Sequence, residues 1–293
     1  MNKNRSSIII PNWNGEKLLR KNLPRVLDAV DDAEVIVVDD ASTDRSVNFI
    51  KKTYSQVRLA VHRKNRGFAA TCNHGVNLAK GEIVVLLNTD VVPQRGFLEP
   101  ILEDFLDTKV FAVGCGEVDS GPGWAVFKNG AVELVRKKRL KKKSSAFWAS
   151  GGQSAFSREK WLALGGFDYL YQPFYLEDVD LCYRAWKRGF EILWDPRSIV
   201  RHKHRGVIKT RFSKKSIVLV TERNHLLFIW KNITAPEMIV THKTWLKKRL
   251  LTEPGYWRPF LAALIKLPLV LPRRLKERKE SKISDAKIFE IFQ

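Results

Sequence analysis

Short, unbroken runs of apolar residues alternate with segments whose apolar residues recur at helical spacing. The unbroken runs fall within residues 6–11, 34–40, 57–61 and 83–87. Runs of this kind are typical of strands buried on both faces, which occur in parallel sheets covered by helices. Helix-spaced segments at residues 18–30, 47–50 and 69–79 separate them. The alternation predicts an α/β fold with a doubly wound, mostly parallel sheet.

Three of the predicted strands end in polar residues. The sequence Asn-Trp-Asn at 12–14 follows the first, Asp39 and Asp40 end the second, and Asn88, Thr89 and Asp90 end the fourth. The carboxyl ends of parallel strands meet at one edge of the sheet, where α/β proteins bind their ligands. The sequence therefore predicts a nucleotide-binding crevice at this edge, with Asp90 as its first candidate residue.

The usual nucleotide-binding fingerprints are missing. No GxGxxG follows the first strand, and no GxxxxGK[ST] occurs anywhere in the chain. These glycine-rich loops bring backbone N–H groups close to phosphates in dinucleotide oxidoreductases and P-loop NTPases. The sequence therefore argues against both classes.

The second half of the chain is less regular. We predict an irregular basic excursion over residues 117–145, which is either a solvated loop or a contact for an anionic acceptor or membrane. A helix is expected over Arg158–Leu164, and another opens with Glu177, Asp178 and Asp180, more acids than helix capping needs. Short strands at 192–196 and 198–200 lead to two histidines, His202 and His204, which could ligate a metal or bind phosphate.

The charge is strongly and unevenly positive. The 293 residues carry a formal net charge of +21, concentrated in residues 136–143, 197–215 and 243–282. Such a surface requires an anionic partner, and nucleic acid and an anionic membrane both satisfy that requirement. Three widely spaced cysteines are expected to be reduced and structural. The start of the chain has no hydrophobic signal segment, which favours the cytoplasm.

One C-terminal segment combines apolar residues with flanking charge. Residues 259–272 read PFLAALIKLPLVLP, with Trp245, Tyr256 and Trp257 before them and five basic residues soon after them. The segment is too short and too interrupted to span a bilayer. Its pattern suits a helix lying in a membrane interface. The alternative is a hydrophobic hairpin packed on the domain, followed by a solvated basic tail.

Seven motifs in order carry a family resemblance: IIIPNWNG, VIVVDDASTD, NRGFAATCNHGV, GEIVVLLNTD, SGGQSAFSRE with LGGFD, YLEDVDLCYRAWKRG, and VRHKHRG. Together they resemble a family 2 glycosyltransferase of the GT-A fold, over roughly residues 6–232. The resemblance implies a domain at 1–232, with a nucleotide-sugar half at 1–116 and an acceptor half at 117–232. Residues 233–293 would form a basic helical extension.

The resemblance also implies roles in donor binding. Pro11, Asn12 and Asn14 would begin the nucleotide pocket. Asp40 would accept a hydrogen bond from the N–H of a uracil or thymine ring, with Asp39 supporting it. Further along the donor, the resemblance points to Asn65, Gly67 and, at the ribose, Asn88.

Asn88-Thr89-Asp90 occupies the place of the family's Asp-x-Asp motif, so Asp90 is its only carboxylate. The resemblance implies that Asp90 binds a divalent cation bridging the two donor phosphates. His202 matches the histidine that completes this metal site, and His204 is a weaker candidate. These ligands suit Mg²⁺ or Mn²⁺.

On the acceptor side, the resemblance implies that Asp178 is the general base for an inverting transfer. Gly151, Gly152 and Gly166 would shape the acceptor subsite together with Glu177. Trp148 is expected to be either a stacking platform for a sugar ring or a core aromatic.

The sequence as a whole predicts metal-dependent, inverting transfer from a UDP- or dTDP-sugar to a glycan or lipid-linked glycan. Synthesis of a surface polysaccharide at the inner face of the membrane is the expected setting, with peripheral membrane association and no nucleic-acid partner. Two rivals remain. A nucleotidylyltransferase would have a glycine-rich first loop, which residues 12–15 do not form. A noncatalytic basic module on a degenerate fold would not need Asp90, Asp178 and His202.

Overall fold

The computed structural model describes residues 5–30, 33–117, 120–202 and 211–293; His204 lies outside them. The strands are β1 (Ser6–Asn12), β2 (Glu34–Asp39), β3 (Arg58–Val61), β4 (Ile83–Leu87), β5 (Val91–Pro93), β6 (Val110–Gly116), β7 (Gly123–Lys128), β8 (Ala131–Arg136), β9 (Ser144–Ser145), β10 (Gln153–Ser157) and β11 (Glu191–His202). The helices are α1 (Glu16–Val30), α2 (Ser46–Thr53), α3 (Phe68–Leu78), α4 (Leu98–Asp104), α5 (Arg158–Leu164), α6 (Glu177–Lys187), α7 (Lys214–Asn232), α8 (Pro236–Thr252), α9 (Trp257–Leu264), α10 (Leu267–Glu280) and α11 (Asp285–Glu290).

The main sheet has the order β3-β2-β1-β4-β10-β6-β11-β5, with β9 added beside β11. Strands β1 to β4 are parallel neighbours, and β6 and β11 form a second parallel pair. Between them β10 runs antiparallel to both β4 and β6, so six of these strands share one direction. The predicted mostly parallel α/β sheet is confirmed.

Burial of both sheet faces explains the unbroken apolar runs. Successive side chains of a strand point to opposite faces. On β1, Ile9 packs with the core under α3 and α5 to α7, whereas Ile8 and Ile10 pack under α1, α2 and α4. Each central position therefore needs an apolar residue. The three cysteines are buried and free, as predicted.

The prediction of an irregular basic excursion over 117–145 is wrong for the first part of that segment, which contains a β-hairpin. Strands β7 and β8 pair antiparallel around Asn129 and Gly130. Both turn residues have positive φ, 52° and 86°. This is the geometry of a two-residue type I′ turn, which Asn-Gly favours because both residues tolerate it.

The two short strands predicted near residue 195 are instead one strand, β11. Its pairing with β6 shifts register between Asp195 and Ile199, which marks a bulge around Pro196. Proline has no N–H to donate to a ladder, so a bulge is one of the few places in a sheet that accept it. The irregularity lets β11 continue to His202.

The C-terminal helices fold back on the sheet domain. Ile288, Phe289 and Phe292 are buried in the main core, where Phe292 meets Trp124 and Phe147 edge-on. Helices α9 and α10 pack on α7. Among the described helices, none is both long enough and apolar enough to cross a membrane.

Candidate active site

The loops after β1 and β2 are tied together at the sheet edge. Asp39 is fully buried and accepts hydrogen bonds from Asn12 Nδ2 at 2.7 Å and from the Ser42 N–H at 2.9 Å. Asn14, with φ 49°, accepts from the Thr43 N–H at 2.7 Å. These contacts follow from the parallel pairing that sets Asn12 beside Asp39. Asn12, Asn14 and Asp39 therefore form one rigid corner, next to the partly exposed Pro11.

Asp40 anchors the neighbouring loop before α3. Its carboxylate accepts from the backbone N–H groups of Arg66 and Gly67, both at 2.8 Å, and contacts His62 Nδ1 at 2.7 Å. Gly67 has φ 82°, which a residue with Cβ rarely adopts. Asn65 is exposed beside it. Each carboxylate oxygen has two lone pairs, so Asp40 could accept a further hydrogen bond from a nucleobase. Contact between Asp40 and a nucleobase stays a prediction.

The end of β4 joins the two halves of the sheet. The Asn88 N–H donates to the Gly152 carbonyl at 2.8 Å. A Cβ on Gly152 would lie 2.3 Å from the Asn88 amide nitrogen, so a larger residue would force the Asn88 side chain to move. On the other side, Asn22 holds the Thr89 carbonyl at 2.8 Å. Asn88 and Gly152, predicted on the donor and acceptor sides, are thus in direct contact.

Strand pairing brings His202 to Asp90. β11 runs antiparallel to β5, and its register sets His202 opposite Val91, the residue after Asp90. Nε2 of His202 lies 3.3 Å from Oδ1 of Asp90. The structure therefore places these two residues, 112 positions apart in sequence, side by side at the same edge.

Sequence reasoning missed Glu117 at this point. It follows the buried strand β6, and its Oε1 lies 3.4 Å from His202 Nδ1. Burial lowers the pKa of His202, but its contacts with Asp90 and Glu117 prevail and raise it to about 9. Burial opposes ionisation of Glu117, yet contacts with His202 and Gln153 lower its pKa to about 2. The sequence could have indicated Glu117, because it is an acid directly after a buried strand, just as Asp39 is an acid at the end of one.

Asp90 and His202 provide one carboxylate and one imidazole as possible metal ligands. In the four described ranges, no three or more His, Cys, Asp or Glu side chains form a group that could hold a metal ion. The pair thus suits a cation that completes its coordination with phosphate and water oxygens, as Mg²⁺ and Mn²⁺ commonly do.

A strained turn presents the acids of α6. Tyr175 and Leu176 have φ of 71° and 76°, although neither is glycine. Left-handed backbone costs such residues roughly 1–2 kcal/mol each and is found where surrounding contacts enforce it. Here the enforcing residue is Asn224 of α7, whose Nδ2 donates to the carbonyls of Tyr171, Phe174 and Tyr175 at 2.7, 2.9 and 3.0 Å. Asn224 was not predicted, because it lies between Arg223 and His225 and nothing in the sequence distinguishes it from an exposed polar residue.

The three acids of α6 differ in their surroundings. Asp178 is half-buried and accepts from the Gly151 N–H at 3.0 Å and the Val179 N–H at 2.8 Å. Burial raises its pKa above the ordinary value. Glu177 is buried, and burial together with the charge of Asp178 raises its pKa to about 8. Of the two, Asp178 is the residue that is partly exposed to solvent.

Asp180 is locked inside the protein. It is fully buried and accepts hydrogen bonds from Tyr171, Arg184, Lys231 and Asn232 at 2.7–2.9 Å. Burial opposes its ionisation, but Lys231 and Arg184 hold its pKa well below the ordinary value. Asp180 therefore fixes α6 in place and is not accessible to a substrate.

Trp148 lies between the hairpin and the acids. Its ring packs against Gly123, where a Cβ would come within 2.5 Å of it. The Arg136 guanidinium lies 5.6 Å from the ring centroid, and the side chain is only partly buried. Gly151 is packed against Phe167 and Phe68. Trp148 therefore packs against the hairpin with part of its ring and is partly exposed to solvent.

The comparisons with known proteins agree with this geometry. The model of Glycosyl transferase family 2 matches residues 7–161, more than half of the chain. The pre-mycofactocin glycosyltransferase of Mycobacterium tuberculosis is 26% identical over 218 residues, which cover 72% of this chain and 45% of that protein. This chain thus spans less than half the length of that relative.

Solved structures show the same fold. GalNAc-T7, crystallised with UDP, GalNAc and Mn²⁺, superimposes with a TM-score of 0.64 at 17% identity, covering 86% of this chain and 56% of that one. The mannosyltransferase PcManGT from Pyrobaculum calidifontis, in complex with GDP-Man and Mn²⁺, has a TM-score of 0.56 at 20% identity, covering 98% and 85%. The predicted GT-A fold is confirmed, and with the family match over residues 7–161 the chain belongs to glycosyl transferase family 2.

Proposed function

We propose that the chain transfers a sugar from a nucleoside diphosphate sugar to a hydroxyl group of a glycan, with inversion at the anomeric carbon. The observation that supports this most is the contact of Asn88 with Gly152. It sets the Asp90–His202 pair, on the predicted donor side, next to the loop whose Gly151 N–H binds Asp178. A pair of possible metal ligands and a candidate base thus lie on either side of the Asn88–Gly152 contact.

In this proposal Asp178 removes the proton from the acceptor hydroxyl while that oxygen attacks the anomeric carbon. The nucleoside diphosphate leaves from the opposite face, so a single displacement inverts the configuration. A base acts best when its pKa lies close to the working pH, and burial moves the pKa of Asp178 in that direction. Two N–H donors fix the carboxylate, which orients it before the acceptor binds.

On the donor side, Pro11, Asn12, Asn14, Asp39 and Asp40 would form the nucleoside pocket. Asn65, Gly67 and Asn88 would border it, and Trp148, Gly151, Gly152 and Glu177 would frame the acceptor. Asp90 and His202 would hold Mn²⁺ or Mg²⁺, which neutralises the charge of the departing diphosphate when bound. The Mn²⁺ complexes of GalNAc-T7 and PcManGT support this proposal by similarity.

We keep the division that the family resemblance implies, a donor half at 1–116 and an acceptor half at 117–232, as part of the proposal. The uridine or deoxythymidine nucleotide, and the place of the reaction in surface polysaccharide synthesis, remain parts of the proposal.

The proposed setting is the inner face of an anionic membrane. Helices α9 and α10 pack on α7 by one side and expose apolar residues on the other, with Ile265 80% and Leu275 66% exposed. The basic residues Lys276, Arg278 and Lys279 are exposed beside them. Apolar side chains next to lysine and arginine suit a bilayer interface. One side of these helices packs on the domain, and we propose that the exposed side contacts the membrane.

Sedimentation with phosphatidylglycerol vesicles tests this part. Replacing Ile265 and Leu275 by Gln should weaken binding roughly tenfold or more, because two exposed apolar anchors are lost. Leu106→Gln, at an equally exposed position on the other half, is the control. Unchanged binding of the double variant would contradict the membrane setting.

The transferase function itself is tested with a panel of uridine, deoxythymidine and guanosine diphosphate sugars. At least one should raise the melting temperature by roughly 2–4 °C or more with Mn²⁺ and be cleaved to nucleoside diphosphate. Pyrophosphate release from a nucleoside triphosphate and a sugar phosphate would indicate the nucleotidylyltransferase instead. No binding of any nucleotide sugar would favour the noncatalytic module.

A further inference from the structure

A basic ridge, residues 136–143, runs away from the proposed acceptor site. Seven of its eight residues are Lys or Arg. All eight are exposed to solvent. It begins at the last residue of β8 and continues through irregular chain to β9. The ridge is therefore a continuous strip of positive charge on the acceptor half.

Within the described residues, most of this charge is not paired with a carboxylate. Lys143 forms an ion pair with Asp104 at 2.7 Å, and Lys137 lies 4.3 Å from the ring centroid of Trp124. The remaining cations of the ridge have no carboxylate partner among the described residues: Arg136, Lys138, Arg139, Lys141 and Lys142. Like charges this close repel one another, and an anionic ligand with several charges relieves that repulsion.

The ridge begins at the acceptor site. Arg136 lies over Trp148, with its guanidinium carbon 5.6 Å from the ring centroid. Three residues after Trp148, the Gly151 N–H donates to Asp178. The positive charge of Arg136 also reaches Asp178, whose pKa it lowers against the larger effect of burial. A chain bound along the ridge would therefore have its end close to Asp178.

The composition of the ridge distinguishes it from the membrane-facing helices. Leu140 is its single apolar residue and is 38% exposed. By contrast, α9 and α10 expose apolar residues between their charges. Dense charge without apolar anchors suits a dissolved polyanion better than a bilayer interface. Lysine and arginine both bind phosphate oxygens through charge-assisted hydrogen bonds.

We propose that the basic ridge binds the phosphate groups of an anionic, phosphodiester-linked glycan acceptor and guides its terminal hydroxyl to Asp178. This inference rests on the proposed function for the identity of the reaction. It adds the substrate class: a glycan with repeated phosphates, held by residues outside the transfer chemistry.

Binding of a fluorescein-labelled glycerol phosphate oligomer tests the ridge without donor or metal. We expect the wild-type chain to bind this oligomer at least tenfold more tightly than a dextran oligomer of equal length. Replacing Lys138, Arg139, Lys141 and Lys142 by Gln should weaken the phosphate-dependent binding about tenfold, because four exposed charge contacts are lost and each of them is weak.

The matched control replaces Lys21, Arg25, Lys51 and Lys52, four exposed cations on α1 and α2, by Gln. It removes the same net charge and should keep wild-type affinity for the oligomer. Equal loss in both variants would mean that net charge alone binds the oligomer, which overturns the inference. Thermal melting of both variants checks that they fold.

Vesicles of phosphatidylglycerol separate the ridge from a membrane contact. If the ridge variant loses vesicle binding but keeps the oligomer, the ridge binds the membrane and the inference is wrong. Because no nucleotide is present, equal binding of phosphate oligomer and dextran would refute the acceptor class while leaving the transferase function intact. If no nucleotide sugar of the panel binds, the transferase function is refuted, while binding of the phosphate oligomer to the ridge is unaffected.

Discussion

The two halves of the sheet edge hold their carboxylates in different ways. In the donor half, Asp39 and Asp40 are fixed by loops that directly follow neighbouring parallel strands. In the acceptor half, Asp178 follows a strained turn that Asn224 holds from α7, some 50 residues later in the chain. The corner around Asp39 and Asp40 is thus built from neighbouring strand–loop units, whereas the turn before Asp178 depends on a helix later in the chain.

Distant support also holds Asp180, two residues after Asp178 on α6. Asp180 is neutralised by Lys231 and Arg184, and Lys231 also pairs with Asp168 at 2.8 Å. Arg273 of α10 reaches Asp168 at 2.9 Å. The C-terminal helices therefore help to fix the helix that carries Asp178, so the acceptor edge and the extension form one unit.

Asp180→Ala tests this dependence most severely. Removing one partner from a buried ionic network leaves Lys231 and Arg184 uncompensated, which we expect to cost about 3–5 kcal/mol of unfolding free energy. Urea denaturation measures it. Glu133→Ala, at an exposed acid on β8, is the control and should change stability by less than about 0.5 kcal/mol. Equal stability of the two variants would show that the network is not a support.

Asp90→Ala tests the donor edge. We expect Mn²⁺-dependent binding of the nucleoside diphosphate to weaken about 10–100-fold, because His202 alone would remain as a protein ligand. Titration calorimetry with and without Mn²⁺ measures the change. Asp28→Ala removes an exposed acid of the same half and should bind like the wild type. A variant at Asp90 with unaltered metal dependence would remove Asp90 from the site.

Glu177→Gln should change stability only at high pH and leave it unaltered at low pH. The pKa of Glu177 is about 8 in the folded chain against 4.5 as the ordinary value. The folded state therefore binds the proton more tightly, and its stability decreases as pH rises from about 4.5 to 8. Glutamine stays neutral, so the variant should melt several degrees above the wild type at pH 8, with little difference at pH 4.5. A constant difference across this range would show that Glu177 does not titrate as described.

The sequence predicted the strands of the donor half and their polar ends well, because each strand end belongs to one local strand–loop–helix unit. The apolar runs located β1 to β4, and their polar ends located Asp39, Asp40 and Asp90. Arg158–Leu164 was also predicted with the bounds that α5 has. In each case, the residues that determine the structure lie within one strand–loop–helix unit.

Other features depended on contacts that periodicity does not show. The pattern could not assign different roles to Asp178 and Asp180, since the difference comes from Lys231 and Asn232 on α7. Glu117 was not predicted as a site residue, because its environment depends on His202, which lies at the far end of β11. The sequence pattern therefore did not predict those features of the site that depend on contacts between residues far apart in the chain.

Asp178→Asn is the most direct test of the proposed reaction. With an identified donor and acceptor, single-turnover transfer and donor binding are measured on the same protein, with Glu133→Gln as the control. Loss of a general base lowers transfer by roughly 10²–10⁴-fold. The account predicts that loss with donor affinity kept within about twofold of the wild type. Transfer that stays above about a tenth of the wild-type rate would contradict the assignment of Asp178 as the base.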